Sequence, residues 1–164
     1  MILHKVLVGL GSNLDEPHVQ VLHAIELLDV QPHMRVGLRS SLYRSAPVGY
    51  LEQPDFINAV VLLETSLAPR AVLDVLLTLE AQQGRRRTFL NAPRTLDLDV
   101  LMYDDLVHHE HGLTIPHPQM HRRAFVLQPL LEIMPDCVIP NIGKAQQAFL
   151  QCADQRLERL QPCL

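Results

Sequence analysis

A chain of 164 residues with 48% hydrophobic and 20% charged side chains has the size and composition of one compact domain, which excludes a disordered or fibrous protein. Its formal net charge of −4 gives no global attraction for nucleic acid or an acidic membrane, and no apolar run approaches the length of a membrane span. Cys137, Cys152 and Cys163 lack metal-ligand spacing and follow no secretory signal, so free thiols in a cytoplasmic protein are expected, with residues 1–164 forming a single domain.

KVLVGLG (5–11) reads as a first strand, and Pro17 opens a helix with an apolar stripe at Val21, Leu22, Ile25 and Leu28. The intervening GLGSN (9–13) has neither the third glycine of a dinucleotide fingerprint nor a Walker lysine. It fits a tight turn, with Ser12 or Asn13 placed to cap or to brace a neighbouring loop. LRSSLYRS (38–45) and INAVVLLET (57–65) are two further strands, joined by a segment rich in turn residues. Ser66 can cap a second helix that starts at Pro69 and stops at Gly84, burying Val72, Val75, Leu76 and Leu79.

APRTLDLDVLMYDD (92–105) makes a fourth strand, in whose alternating run Thr95, Asp97 and Asp99 share one face and Leu96, Leu98 and Val100 the other. A short helix within 117–133 and an amphipathic helix over 143–160, through Ala145, Phe149, Cys152 and Leu160, complete the chain. The order strand, helix, strand, strand, helix, strand is that of an α+β, ferredoxin-like βαββαβ sandwich with helices added at the C-terminal end. A doubly wound sheet would need a crossover helix over 46–55, which is too short and too rich in proline and glycine.

Asp97 and Asp99 would repel each other across one strand face. They are either a solvated acidic face paired with arginines or a site for a hard cation such as Mg²⁺, which prefers carboxylate and phosphate oxygens. Arg85, Arg86, Arg87 and Arg94 just upstream favour a polyphosphate ligand, although a charged loop is often simply solvated. Glu80, near the end of the second helix, opposes the macrodipole there. It is either exposed and relieved by Arg85 or Arg87, or a contact near phosphates or ribose. His117 stands between two prolines, and Arg122 and Arg123 supply more cations. His108, His109, Glu110 and His111 are consecutive and would point different ways, which disfavours zinc. Phe56 and Phe125 are two of four phenylalanines in a chain without tryptophan, so they either pack in the core or hold a flat heterocycle.

The stretches GLGSNL, LYRSAPVGYLEQPDFINAVVLLET, LEAQQGRRR, APRTLDLDVLMYDD and IPHPQMHRRAFVLQPL, in that order over most of residues 5–131, resemble the 6-hydroxymethyl-7,8-dihydropterin pyrophosphokinases of folate biosynthesis. The resemblance implies a ferredoxin-like enzyme that binds ATP with two Mg²⁺ ions and a reduced pterin. In it the pterin hydroxymethyl oxygen attacks the β-phosphorus, taking pyrophosphate and releasing AMP. By the same resemblance Asp97 and Asp99 hold the metals, while Arg85, Arg87 and Arg94 meet the triphosphate. Glu80, Thr114, His117 and Arg123 correspond to nucleotide contacts. Phe56 and Phe125 sandwich the pterin, Asn58 and the backbone around Ser45 and Val48 bond its edge, and Asn13 braces a loop. The stretch LNA (90–92) replaces the Arg-Trp-Gly of many members in a loop one residue shorter, and Leu77 and Gly112 replace polar or basic nucleotide contacts of some. These departures bear on loop closure and on ATP affinity. A metal-dependent phosphohydrolase and an RNA-binding sandwich are the competing classes; the partners expected are small molecules, and a monomer is expected.

Overall fold

The computed structural model describes residues 2–47, 52–83 and 96–160. Alternation of side chains builds the first strand, β1 (His4–Ser12), which sends Val6, Val8 and Leu10 to one apolar cluster and Leu7 to another. Helix α1 (Pro17–Asp29) has proline in its first turn and buries Val21, Ala24, Ile25 and Leu28. Those positions follow the spacing i, i+3, i+4, i+7 of one helix face. Leu22, expected in the stripe, lies off that face and is 38% exposed; Ala24 takes its place.

The strand expected over 38–45 is two strands, β2 (Met34–Arg39) and β3 (Tyr43–Ser45). Both run antiparallel to β4 (Phe56–Thr65), β2 along its C-terminal half and β3 along its N-terminal end. In the gap Ser40 stands in for the ladder: its N–H donates to the Val60 carbonyl and its Oγ accepts the Val60 N–H, both at 2.9 Å. Helix α2 (Pro69–Gln82) has Ala68, not Ser66, at its N-cap, without a side-chain cap. Thr65 organises this corner instead, its Oγ1 accepting the Leu67 N–H at 3.1 Å and donating to the His33 carbonyl. Val72, Leu76 and Leu79 are buried as expected, and Val75 packs partly buried against the same cluster. The expected stop at Gly84 lies outside the described residues.

After β5 (Asp97–Tyr103) come the hairpin β6 (His108–Glu110) and β7 (Leu113–Ile115), a 3₁₀ turn at Met120–Arg122, and helix α3 (Ala124–Ile133). A small hairpin, β8 (Val138–Ile139) and β9 (Gly143–Lys144), leads into α4 (Ala145–Leu150) and then β10 (Leu157–Arg159). The single helix expected over 143–160 is thus a correction. Cys152 is buried near α4, but Leu160 packs against the other apolar cluster, and Leu157–Arg159 pair with β3. One helix cannot serve two separate cores, so the chain turns at 151–155 and joins the sheet.

The sheet runs β10–β3–β4–β1–β5, with β2 also on β4. The path β2/β3–β4–β1–β5 is the strand order of a βαββαβ sandwich, here antiparallel throughout. One face carries α1 and α2 over Val6, Val8, Leu10, Leu63, Leu98 and Val100; the other carries α3 and α4 over Leu7, Val60, Leu62 and Leu101. A bulge in β5 opposite Leu7 and Val8 shifts the register, so Leu101 and Met102 both turn toward α3 while Tyr103 returns to the first core.

Candidate active site

The face of the sheet under α3 is lined by Gly9, Gly11, Asn58, Asp97, Asp99 and Leu101, and the N-terminal end of α3 closes over it with Arg123, Phe125 and Val126. Ser45, Ala46 and Phe56 complete one wall of this cavity. β-Sheet periodicity explains the set. Gly9 stands opposite both Val60 and Asp99, and Gly11 opposite both Asn58 and Asp97, so residues from three strands converge on one patch.

Asp97 and Asp99 are half-buried, while Leu96, Leu98 and Val100 are at most 5% exposed in the opposite core. The leucines hold the strand and the carboxylates face the cavity. Two carboxylates on one strand face form a donor set that suits a hard divalent cation completing its shell with ligand oxygens. Among the described residues no group of three His, Cys, Asp or Glu side chains is arranged around a metal position. Arg85, Arg87 and Arg94, expected beside the acidic pair, lie outside the described residues, as do Val48 and the LNA stretch.

Phe56 and Phe125 are partly exposed at the cavity rather than sealed in a core. The Arg123 guanidinium lies 5.6 Å from the Phe125 ring centroid, within cation–π range. Asn58 is 4% exposed, and its Nδ2 donates to Ser45 Oγ at 2.7 Å and, more weakly, to the Tyr43 carbonyl at 3.4 Å. That donor assignment leaves Oδ1 as the acceptor end of the amide. Asn13 donates from Nδ2 to Gln53 Oε1 at 2.8 Å and to the Pro54 carbonyl at 3.1 Å, tying the end of β1 to the segment before β4.

His117 is docked against β5 by its N–H, which donates to the Leu101 carbonyl at 2.9 Å. Its Nδ1 accepts the Gln119 N–H at 3.1 Å, so a neutral ring carries its proton on Nε2. Burial, reinforced by the Arg123 cation and opposed by Asp97, pushes the imidazole down to about 4. His117 is therefore a neutral donor at physiological pH. Thr114 sits on β7, its Oγ1 hydrogen-bonded to His109 Nδ1 at 2.9 Å. The other histidines of this hairpin are engaged separately: His108 pairs with Glu110 at 2.9 Å, and Arg70 reaches both Glu110 and the His111 carbonyl.

Glu80 is not the exposed relief partner: it is 2% exposed, and Oε2 accepts the Leu98 N–H at 2.7 Å. β5 pairs only with β1 among the described strands, so its outward N–H groups need other acceptors. A carboxylate from α2 supplies one between the two aspartates. Sequence pattern missed this because a glutamate at a helix end ordinarily faces water. It also missed Glu132, which accepts the Ser41 N–H and Oγ–H at 3.0 Å and the Tyr43 hydroxyl at 2.6 Å. These bonds hold the Glu132 carboxyl below its usual range and fix the start of β3, hence the Ser45–Asn58 wall.

A family model described as 7,8-dihydro-6-hydroxymethylpterin-pyrophosphokinase matches residues 7–135. The chain is similar to the 2-amino-4-hydroxy-6-hydroxymethyldihydropteridine pyrophosphokinase of Haemophilus influenzae, 41% identical over 155 residues, covering 94% of this chain and 97% of that one. The Pseudomonas aeruginosa protein of the same name is 40% identical over 159 residues, covering 97% and 98%. Among solved structures, wild-type Plasmodium falciparum HPPK-DHPS superposes with a TM-score of 0.71 at 14% identity, covering 93% of this chain and 45% of that one. This chain thus spans less than half of that solved protein, and the likeness is one of fold.

Proposed function

The chain belongs to the 7,8-dihydro-6-hydroxymethylpterin-pyrophosphokinase family, and from that premise we propose how its cleft serves the reaction. The activity is transfer of pyrophosphate to 6-hydroxymethyl-7,8-dihydropterin, a step of folate biosynthesis. In our reading the donor is ATP, bound as its magnesium complex, and AMP is the second product.

The pterin ring lies between Phe56 and Phe125, with its donor-bearing edge against Asn58 Oδ1. Ser45 keeps that amide from rotating, so the acceptor is aligned before the ligand arrives. The backbone around Ser45 and Val48 bonds the same edge, and Asn13 braces the adjoining segment. Asp97 and Asp99 hold two Mg²⁺ ions, which when bound neutralise the charge of the triphosphate. Arg85, Arg87 and Arg94 supply further positive charge along the phosphates, and Thr114, His117 and Arg123 contact the nucleotide. The neutral His117 offers Nε2–H as a donor. Glu80, expected among the nucleotide contacts, also anchors the acidic strand through the Leu98 N–H. The hydroxymethyl oxygen bonds to the β-phosphorus as the bridge to the α-phosphate breaks, and the hydroxyl proton leaves to solvent. Residues 1–164 act as a single pyrophosphokinase domain, a cytoplasmic monomer working on small molecules; no helix among the described residues is long and apolar enough to cross a membrane.

What carries this reading is that aromatic, amide and acidic groups from β4, β5 and α3 line one cavity. Purified protein incubated with Mg²⁺, ATP and the pterin should form AMP only when the pterin is present. ADP as product, or turnover indifferent to pterin, would overturn it.

A further inference from the structure

We propose that Gly11, with Gly9 beside it, is a specificity-determining position whose missing side chain leaves the floor against which the edge of the flat ring seats. This rests on the placement of the pterin between Phe56 and Phe125. On β1 the even positions fill the core under α1 and α2, while Leu7, Gly9 and Gly11 face α3. Leu7 is buried, and the next two positions on that face carry nothing at all.

Glycine weakens the interior of a strand, so two in alternation need a reason. Backbone conformation is not the reason, because the glycines with positive φ among the described residues are Gly112 and Gly143. Protein packing does not demand them either. A Cβ on Gly11 would sit 3.4 Å from Asn58 Oδ1 and 3.8 Å from Phe56 Cδ1, ordinary contacts that the folded protein tolerates. One on Gly9 would lie 3.4 Å from the nearest Leu101 methyl. What such a methyl would occupy is the cavity itself, at Gly11 between the amide oxygen and the aromatic ring that receive the ligand. The bare backbone therefore lets the edge of a planar heterocycle reach the sheet beside Asn58, and it sets the depth of the site.

Gly11→Ala separates this from a structural role. Its thermal midpoint should equal or exceed the parent's, since alanine suits a strand better than glycine. Affinity for the pterin, read by its fluorescence, should fall roughly tenfold or more because the added methyl overfills the site. Affinity for a non-hydrolysable ATP analogue with Mg²⁺ should stay within about twofold, since Gly11 faces the ring and not the phosphates. Phe56→Ala is measured in parallel. Pterin binding weakened in Phe56→Ala but unchanged in Gly11→Ala overturns the floor; binding unchanged in both overturns the placement of the pterin. A midpoint lowered by more than about 5 °C in Gly11→Ala would make the glycine a packing requirement and overturn the proposal too.

Discussion

Glu80→Ala asks how the acidic pair is held. The glutamate is 2% exposed, and its Oε2 lies 2.7 Å from the Leu98 nitrogen, a short hydrogen bond. Leu98 stands between Asp97 and Asp99 on a strand with one pairing partner among the described strands, so this bond limits how far the two carboxylates can shift. Truncation removes the acceptor and strands a buried N–H, a loss of about 2–3 kcal/mol. For a chain of this size each kcal/mol moves the melting midpoint by about 2–4 °C, so a fall of roughly 4–12 °C is expected. Glu80→Gln keeps an oxygen in place and should lose less than half as much. Calorimetry gives the midpoints, and Mn²⁺ binding in the presence of an ATP analogue, followed by electron paramagnetic resonance, reports the proposed metal site. Metal affinity should fall in Glu80→Ala and largely recover in Glu80→Gln. If the alanine variant melts within about 1 °C of the parent and binds Mn²⁺ equally well, the bond neither holds the strand nor positions the aspartates.

Two further outcomes follow from the same site. Asp97→Ala and Asp99→Ala should each abolish most pyrophosphate transfer while leaving the midpoint near the parent's, because removing one of two like charges relieves repulsion in the strand; near-parental turnover at limiting Mg²⁺ in either variant would refute the metal assignment. His117 should titrate by proton NMR near pH 4, and its contribution to stability should be complete above the ordinary imidazole value of 6.5 and decline as pH falls toward 4, since the unfolded chain takes the proton first. An inflection near 6.5, assigned through His117→Ala, would show that the ring is solvated rather than desolvated beside Arg123.

Local pattern made much of the molecule legible. The two-residue repeat of β5 placed Leu96, Leu98 and Val100 in one core and Asp97 and Asp99 together on the opposite face, because alternation is a property of the strand alone. The order of elements was enough for the sandwich, since two short connections and two helical spacers leave few ways to pair four strands. The stripes of α1 and α2 were read to within a residue, with the miss at Leu22 arising where two apolar neighbours compete for one face.

Partners distant in sequence were not legible. Nothing local to Glu80 says that its carboxylate turns inward, because the N–H it meets belongs to a strand 18 residues away. The C-terminal segment reads as a helix by spacing, yet Leu157–Arg159 serve as a sheet edge because β3 has an open side. Gly9 and Gly11 look like turn residues in the sequence and prove to lie mid-strand, where their neighbours are Asp99, Val60, Asp97 and Asn58. The sequence by itself determined which faces are apolar and nominated residues for metal, phosphate and a flat ring. Only the tertiary structure decided which of them meet, because register and packing are set between segments and carry no trace in the periodicity of any one of them.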